Sequence, residues 1–208
     1  MTTAITRRRG GRGVYRRGEG MRPPTGQKRR TLPEYLEAAE VEPLIRCAPN
    51  ARAALIMTIQ WRAGLRISEA VGIEARDLQL DGERPTLRVR AGKGAKSRLV
   101  PVHPELGAAL RAALAFGSVR VGSIVPVSRS TAWRWTKQAQ RKAEELGLIR
   151  SDRSIGTHTL RHSFARHCLA NGVPINVVSR WLGHASLQTT LVYLEILPDP
   201  LGHIERVP

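Results

Sequence analysis

Two short runs of alternating side chains, Thr86 to Arg90 and Arg98 to Val102, flank the stretch Ala91-Gly-Lys-Gly-Ala-Lys-Ser97. Alternation on both sides of a Gly-rich tip describes a β-hairpin. Most of the remaining chain from Thr31 to Ile196 carries its apolar residues at helical spacing instead. Asn50 is placed to cap a helix whose apolar positions Ala54, Leu55, Met57, Ile59 and Trp61 run up to Gly64. Further helices are predicted over Ala38 to Ala48, Arg66 to Gly72, Pro104 to Phe116, Thr131 to Leu146, Thr157 to Asn171, Pro174 to Leu182 and about Ser186 to Ile196. Pro43 must then sit near the first turn of its helix or kink it. Asn171-Gly172 is a stop signal and Pro174 a start signal. No internal repeat is visible. The expected fold is mainly α with a small antiparallel β-sheet, an α+β arrangement around one core, which 208 residues suffice to bury.

Charge narrows the partners. Lys and Arg number 34 against 17 Asp and Glu, leaving a net +17. Such a balance favours a polyanion and steers it in over long range, although a ribosomal or generally adhesive basic protein has the same signature. Residues 1–30 hold nine Arg and one Lys against Glu19 alone, or +9 of that total. With glycines interleaved and little apolar content, this segment is expected to be a disordered basic arm, its Arg7, Arg8, Arg9, Arg16, Arg17, Arg29 and Arg30 tracking phosphates. A solubilising tail, or a start codon assigned too far upstream, is the plainer alternative. No run of 18 apolar residues and no apolar leader occurs, so no membrane partner is expected and the cytoplasm is the expected compartment. Cys47 and Cys168 lie far apart in apolar helical patterns, as small hydrophobes in a reducing compartment do.

Several polar residues stand out. His158 and Arg161 are neighbours at i and i+3 on one predicted helix. A further histidine, His184, lies 23 residues beyond Arg161 in L-G-H-A-S, and Tyr193 nine beyond that. Arg66 stands in G-L-R-I-S-E, and Lys93 and Lys96 in the hairpin tip. Taken singly, each has an ordinary reading. Arg66 pairs with Glu69 or Glu74 at the surface, a lysine in a Gly-rich turn is solvated, and Tyr193 is a core aromatic. His158 and His162 at i and i+4 suggest a metal, but Thr159 replaces the glutamate of a zinc-protease helix and no third ligand is evident, so no metal and no cofactor is expected. Gly92 to Ser97 misses the P-loop pattern because Ala95 occupies the glycine before Lys-Ser. His162 is expected to pack or hydrogen-bond locally, and His167 to lie at the surface. Trp133 and Trp135 alternate with Arg129, Arg134 and Lys137, giving either a DNA-facing helix or core tryptophans beneath solvated cations.

Together, Arg66, Lys93, His158, Arg161, His184 and Tyr193 resemble the active-site set of the tyrosine recombinases, or phage integrase family, over roughly residues 31–196. Cutting a phosphodiester without a metal demands a nucleophile, cations for the non-bridging oxygens and an acid for the leaving oxygen; this kit contains all three. The resemblance implies that Tyr193 attacks phosphorus to leave a 3′-phosphotyrosine, and that Arg66 and Arg161 clamp the phosphate. It makes His158 a proton acceptor or phosphate hydrogen-bonder, His184 a further hydrogen-bonder, and Lys93 the general acid, with Lys96 its competitor. Double-stranded DNA is the implied partner, with a tetramer assembled on it and possible help from an accessory DNA-bending protein; association with the nucleoid follows. Family members commonly place a helical core-binding domain before this region, whereas only the basic arm stands there in this chain, as in catalytic-domain-only members. Residues 197–208 form a tail in which Leu197, Leu201 and Ile204 are candidates for docking on a neighbouring protomer. A non-catalytic DNA-binding regulator, a recombinase remnant and a type IB topoisomerase are the rival readings.

Overall fold

The computed structural model describes residues 32–90, 97–116 and 122–197. The arm with its seven named arginines, the hairpin tip with Lys93 and Lys96, and Leu201 and Ile204 of the tail lie outside the described residues.

Helices α1 (Ala38–Arg46), α2 (Ala51–Ala63) and α3 (Ile67–Ala70) open the fold. A sheet of β1 (Leu78–Gln79), β2 (Thr86–Val89) and β3 (Arg98–Pro101) follows, antiparallel throughout in the order β1-β2-β3. Then come α4 (Pro104–Phe116), α5 (Arg129–Glu145), α6 (Thr159–Ala170), α7 (Ile175–Leu182) and the short α8 (Gln188–Leu191), with a 3-10 turn at Leu194–Ile196. The architecture is the expected one, mostly helical with one small antiparallel sheet. Strand β1 escaped prediction because two residues are too few to show alternation. Pro43 sits in the second turn of α1 rather than the first. It deletes the bond its N–H would give Ala39, while the Glu40 carboxylate secures the helix start by accepting from the Glu37 N–H at 2.9 Å.

Helix α2 explains the core. Its apolar residues point all round, the mark of a helix with no solvent face. Leu55, Ile56 and Ile59 pack with α3, the sheet and α4, whereas Met57 and Trp61 pack with α1, α6 and α7. Asn50 caps it as expected, its side chain accepting from the Ala53 N–H at 2.9 Å. Helix α2 stops at Gly64 (φ 64°) and α7 at Gly183 (φ 67°), both in the left-handed region that favours glycine. Each stop closely precedes a residue of interest: Arg66 two positions after the first, His184 directly after the second.

Candidate active site

Arg161 ties the two stops together. It is 3% exposed; one terminal nitrogen donates to the Gly64 carbonyl at 2.7 Å and the other to the Leu182 carbonyl at 2.8 Å. These carbonyls end α2 and α7, where unpaired acceptors and the helix dipole both favour a cation. One guanidinium thus staples the loops that carry Arg66 and His184. Burial, then the nearby Arg66 charge, pushes Arg161 down to about 10, so it stays charged at neutral pH.

Glu69 balances this charge. Its carboxylate accepts from the Arg66 backbone N–H at 2.8 Å and the Arg66 side chain at 3.1 Å, and it takes both arms of Arg98 at 2.9 and 2.8 Å. Arg161 lies 3.8 Å away. Burial alone would raise this carboxyl; the Arg98 and Arg66 hydrogen bonds and the charges of Arg98 and Arg161 overcome it and bring it down to about 2. Arg98 also donates to the Trp181 carbonyl at 2.7 Å, joining β3 to the end of α7. Arg66, its side chain 39% exposed, therefore projects from a fixed base. The surface ion pair Arg66–Glu69 exists, but it is part of a network of three arginines around one carboxylate. The structural parts played by Glu69 and Arg98 escaped sequence reasoning; the only local signal was the i, i+3 spacing in R-I-S-E.

His158 stands at the cap of α6 instead of on the helix as expected, because a turn closed by the Gly156 N–H donating to the Thr159 hydroxyl at 2.8 Å delays the first helical residue to Thr159. Burial, then Arg161 and Arg66, push His158 down. His162 packs locally as expected, its ring edge-on to that of His158 at 6.1 Å, but its side chain also has a distant partner: Nδ1 lies 2.8 Å from the Tyr193 hydroxyl. His167, expected at the surface, is half-buried with its ring 5.1 Å from that of Trp61. His184 Nδ1 lies 2.8 Å from the hydroxyl of fully buried Thr190, and its ring stacks near-parallel to Tyr193, 6.4 Å between centroids. Burial, together with Arg161, holds His162 and His184 down at about 4, with His158 adding to the push on His162 and Arg66 to that on His184.

Tyr193 is 2% exposed. The single helix expected over Ser186 to Ile196 is instead α8 followed by the 3-10 turn, with Tyr193 at the junction and its N–H given to the Thr190 carbonyl at 3.1 Å. Burial raises the phenol, while Arg161 and Arg66 pull the other way. Arg66, His158, Arg161, His184 and Tyr193 thus converge from four separate segments, and Lys93 and Lys96 lie outside the described residues.

A model of the phage integrase family matches residues 34–198. The chain belongs to that family. Tyrosine recombinase XerD of Corynebacterium glutamicum is 35% identical over 199 residues, covering 85% of this chain. The chain spans 62% of that relative's length. A crystal structure of XerA recombinase superposes with a TM-score of 0.71 at 27% identity, covering 88% of this chain and 67% of that one. The XerH site-specific recombinase bound to its palindromic difH substrate, a post-cleavage complex, gives 0.66 at 26% identity, over 85% and 54%.

Within this integrase-family domain, Arg129 and Arg134 are exposed on α5, and Arg129 lines a cleft of about 480 Å³ with Ser68, Ser130, Trp133 and His158. Trp133 and Trp135 pack against the sheet-side core, and the Lys137 ammonium lies 4.9 Å from the Trp133 ring while donating to Gln140. The tryptophans are therefore partly buried against the core, Trp133 also facing the cleft, with two arginines outside. Cys47 and Cys168 are free thiols, Cys168 pushed up to about 12 by burial. Among the described residues, no helix is long and apolar enough to cross a membrane.

Proposed function

We propose that this protein is a site-specific DNA recombinase that cuts and rejoins duplex DNA through a 3′-phosphotyrosyl link at Tyr193. The observation that carries this reading is the placement of one buried phenol beside two arginines and three imidazoles. A phenol ordinarily titrates near 10 and is a poor nucleophile; a cationic surround favours its oxygen as it becomes phenolate-like. Arg66 and Arg161 hold the non-bridging oxygens of the scissile phosphate, since guanidinium forks match that geometry and stay charged. His158 hydrogen-bonds the phosphate or accepts a proton. His184 gives the phosphate an Nε2–H, which requires its Nδ1 to accept from the Thr190 hydroxyl. Lys93 protonates the leaving 5′-oxygen, with Lys96 as the alternative. The phosphodiester energy stays in the phosphotyrosine, so rejoining by an incoming 5′-hydroxyl needs no nucleotide.

Arg129, Arg134 and Lys137 of α5, with the arginines of residues 1–30, contact the DNA backbone in this reading. Residues 31–196 are the catalytic domain and the segment from 197 docks on a neighbour. Two duplexes are held by a tetramer near the nucleoid, and an accessory bending protein assists where the arm alone does not position the DNA.

The test is incubation with duplex DNA carrying the repeats that flank the gene, nicked near the cleavage point to trap intermediates, with EDTA present. A covalent protein–DNA adduct on a denaturing gel, lost in Tyr193→Phe, is expected. Tight binding without an adduct would favour a regulator or a remnant. Relaxation of supercoils without site preference would favour a type IB topoisomerase.

A further inference from the structure

We infer that His162 is a catalytic residue of strand cleavage, its Nδ1 taking the phenolic proton as Tyr193 attacks phosphorus. The inference rests on the recombinase reading and deepens it, because that reading leaves proton acceptance to His158.

Three imidazoles surround the phenol, and their geometry separates them. A base must reach the atom whose proton it takes, within about 2.6–3.2 Å. His162 Nδ1 is 2.8 Å from the Tyr193 hydroxyl. His184 lies flat alongside the ring, with its Nδ1 engaged by Thr190. His158 is one ring further out, its centroid 6.1 Å from that of His162. The phenol has one hydrogen to donate, and His162 Nδ1 is the imidazole nitrogen in its reach.

The charge environment leaves that nitrogen free to accept. Burial, then His158 and Arg161, holds the His162 imidazole neutral at pH 7. The other titratable groups facing this pocket are Tyr193 and His184 from the C-terminal segment, and neither supplies an anion at that pH. So strongly lowered an imidazole is a weak base in the free protein. The scissile phosphate changes this: an anion entering between the arginines favours imidazolium, and the phenol becomes far more acidic as its oxygen bonds to phosphorus. His162 is thus an idle acceptor without DNA and a competent one with it.

The step balances. The Nδ1 lone pair takes the proton, and the phenolic oxygen's electron pair forms the O–P bond. The bond from phosphorus to the 5′-oxygen breaks with its pair on that oxygen, which takes a proton from the general acid, the place proposed for Lys93. Rejoining reverses each transfer, and His162 returns its proton to the departing phenolate.

Two measurements test this. In the full-length protein labelled with ¹⁵N-histidine, NMR at pH 7 should show His162 unprotonated at Nδ1 and protonated at Nε2, with the Nδ1 signal shifting in Tyr193→Phe. A proton on Nδ1 overturns the inference, and this readout needs no substrate. With the nicked flanking-repeat DNA, His162→Asn should form the adduct about a hundredfold or more slowly than wild type. Asn keeps a polar atom near Nδ1 but has no basic lone pair. Replacing Tyr193 by a fluorinated, more acidic tyrosine should restore the rate in His162→Asn, whereas a 5′-bridging phosphorothiolate, which relieves the leaving group, should not. An undiminished rate in His162→Asn, or rescue by the phosphorothiolate instead, overturns the assignment. If His162→Asn does not fold, His162→Gln takes its place and the NMR result stands by itself. Failure of the wild type to form any adduct sinks the recombinase reading as well, so the two failures are told apart.

Discussion

The two halves of the site are held in different ways. The arginine half is over-determined: Arg161 bonds two helix-ending carbonyls, Glu69 is surrounded by three guanidiniums, and Arg98 crosses from β3 to the end of α7. The tyrosine half hangs on less. Tyr193 sits between a four-residue helix and a three-residue turn, flanked by exposed Leu187 and Leu194, and its side chain is held by His162 and by stacking on His184. Groups that hold charge must be pre-organised, because their value lies in costing no reorganisation when the transition state forms. A nucleophile must move toward phosphorus, and a light tether permits that. Substitutions in the first half should therefore appear mainly in stability, and those in the second mainly in rate.

The largest effect is expected for Arg161→Ala. It leaves the Gly64 and Leu182 carbonyls without their donor and removes a neighbour of the Glu69 carboxylate, at a cost of about 3–5 kcal/mol. Urea unfolding measures it, and a loss below about 1 kcal/mol would break the contrast between the halves. Gly64→Ala comes next. The added Cβ would collide with the Phe164 ring at a backbone φ of +64°, so overpacking and backbone strain add to about 2–3 kcal/mol. Thr190→Val sharpens the other side: it removes the hydroxyl on His184 at nearly constant volume, with about 1 kcal/mol lost in unfolding. Adduct formation should fall by more than that loss of fold accounts for, since nothing then selects the His184 tautomer that donates to phosphate.

Most elements are legible in local signals of the sequence, whereas long-range partners are not. The hairpin strands, the Asn50 cap, the Gly64 stop and both ends of α4 each depend on residues close in the chain. The break after α8 was invisible because α and 3-10 winding share nearly the same apolar spacing. Motif spacing brought Arg66, His158, Arg161, His184 and Tyr193 to notice, but not what supports them. The Arg98–Glu69 pair spans 29 residues and the His162–Tyr193 pair 31, distances over which no periodicity connects two polar side chains. The sequence points to the local packing of His162 on its helix neighbour His158, whereas its hydrogen-bond partner is reached only through the fold.

Acid should separate the two halves by pH, and the change of slope that reveals this is the finest of the expected effects. His162 and His184 are held near 4 in the folded protein against an ordinary 6.5. The unfolded chain binds their protons first, so stability is unaffected above about pH 7 and falls as pH drops from 6.5 toward 4. The slope of that fall is at most about 1.4 kcal/mol per pH unit for each proton. Glu69 acts lower down. Its carboxyl is near 2 folded against 4.5 unfolded, so its contribution is complete above 4.5 and is lost as pH falls through about 2. Thermal unfolding across this range should therefore show an upper limb that becomes shallower in His184→Gln. The lower limb should become shallower in a Glu69→Gln protein, if that variant folds. An upper limb unchanged by His184→Gln would mean that the imidazole beside Tyr193 is open to solvent. The tether on the nucleophile would then be looser still than its hydrogen bonds suggest, and the division between a fixed clamp and a mobile tyrosine sharper.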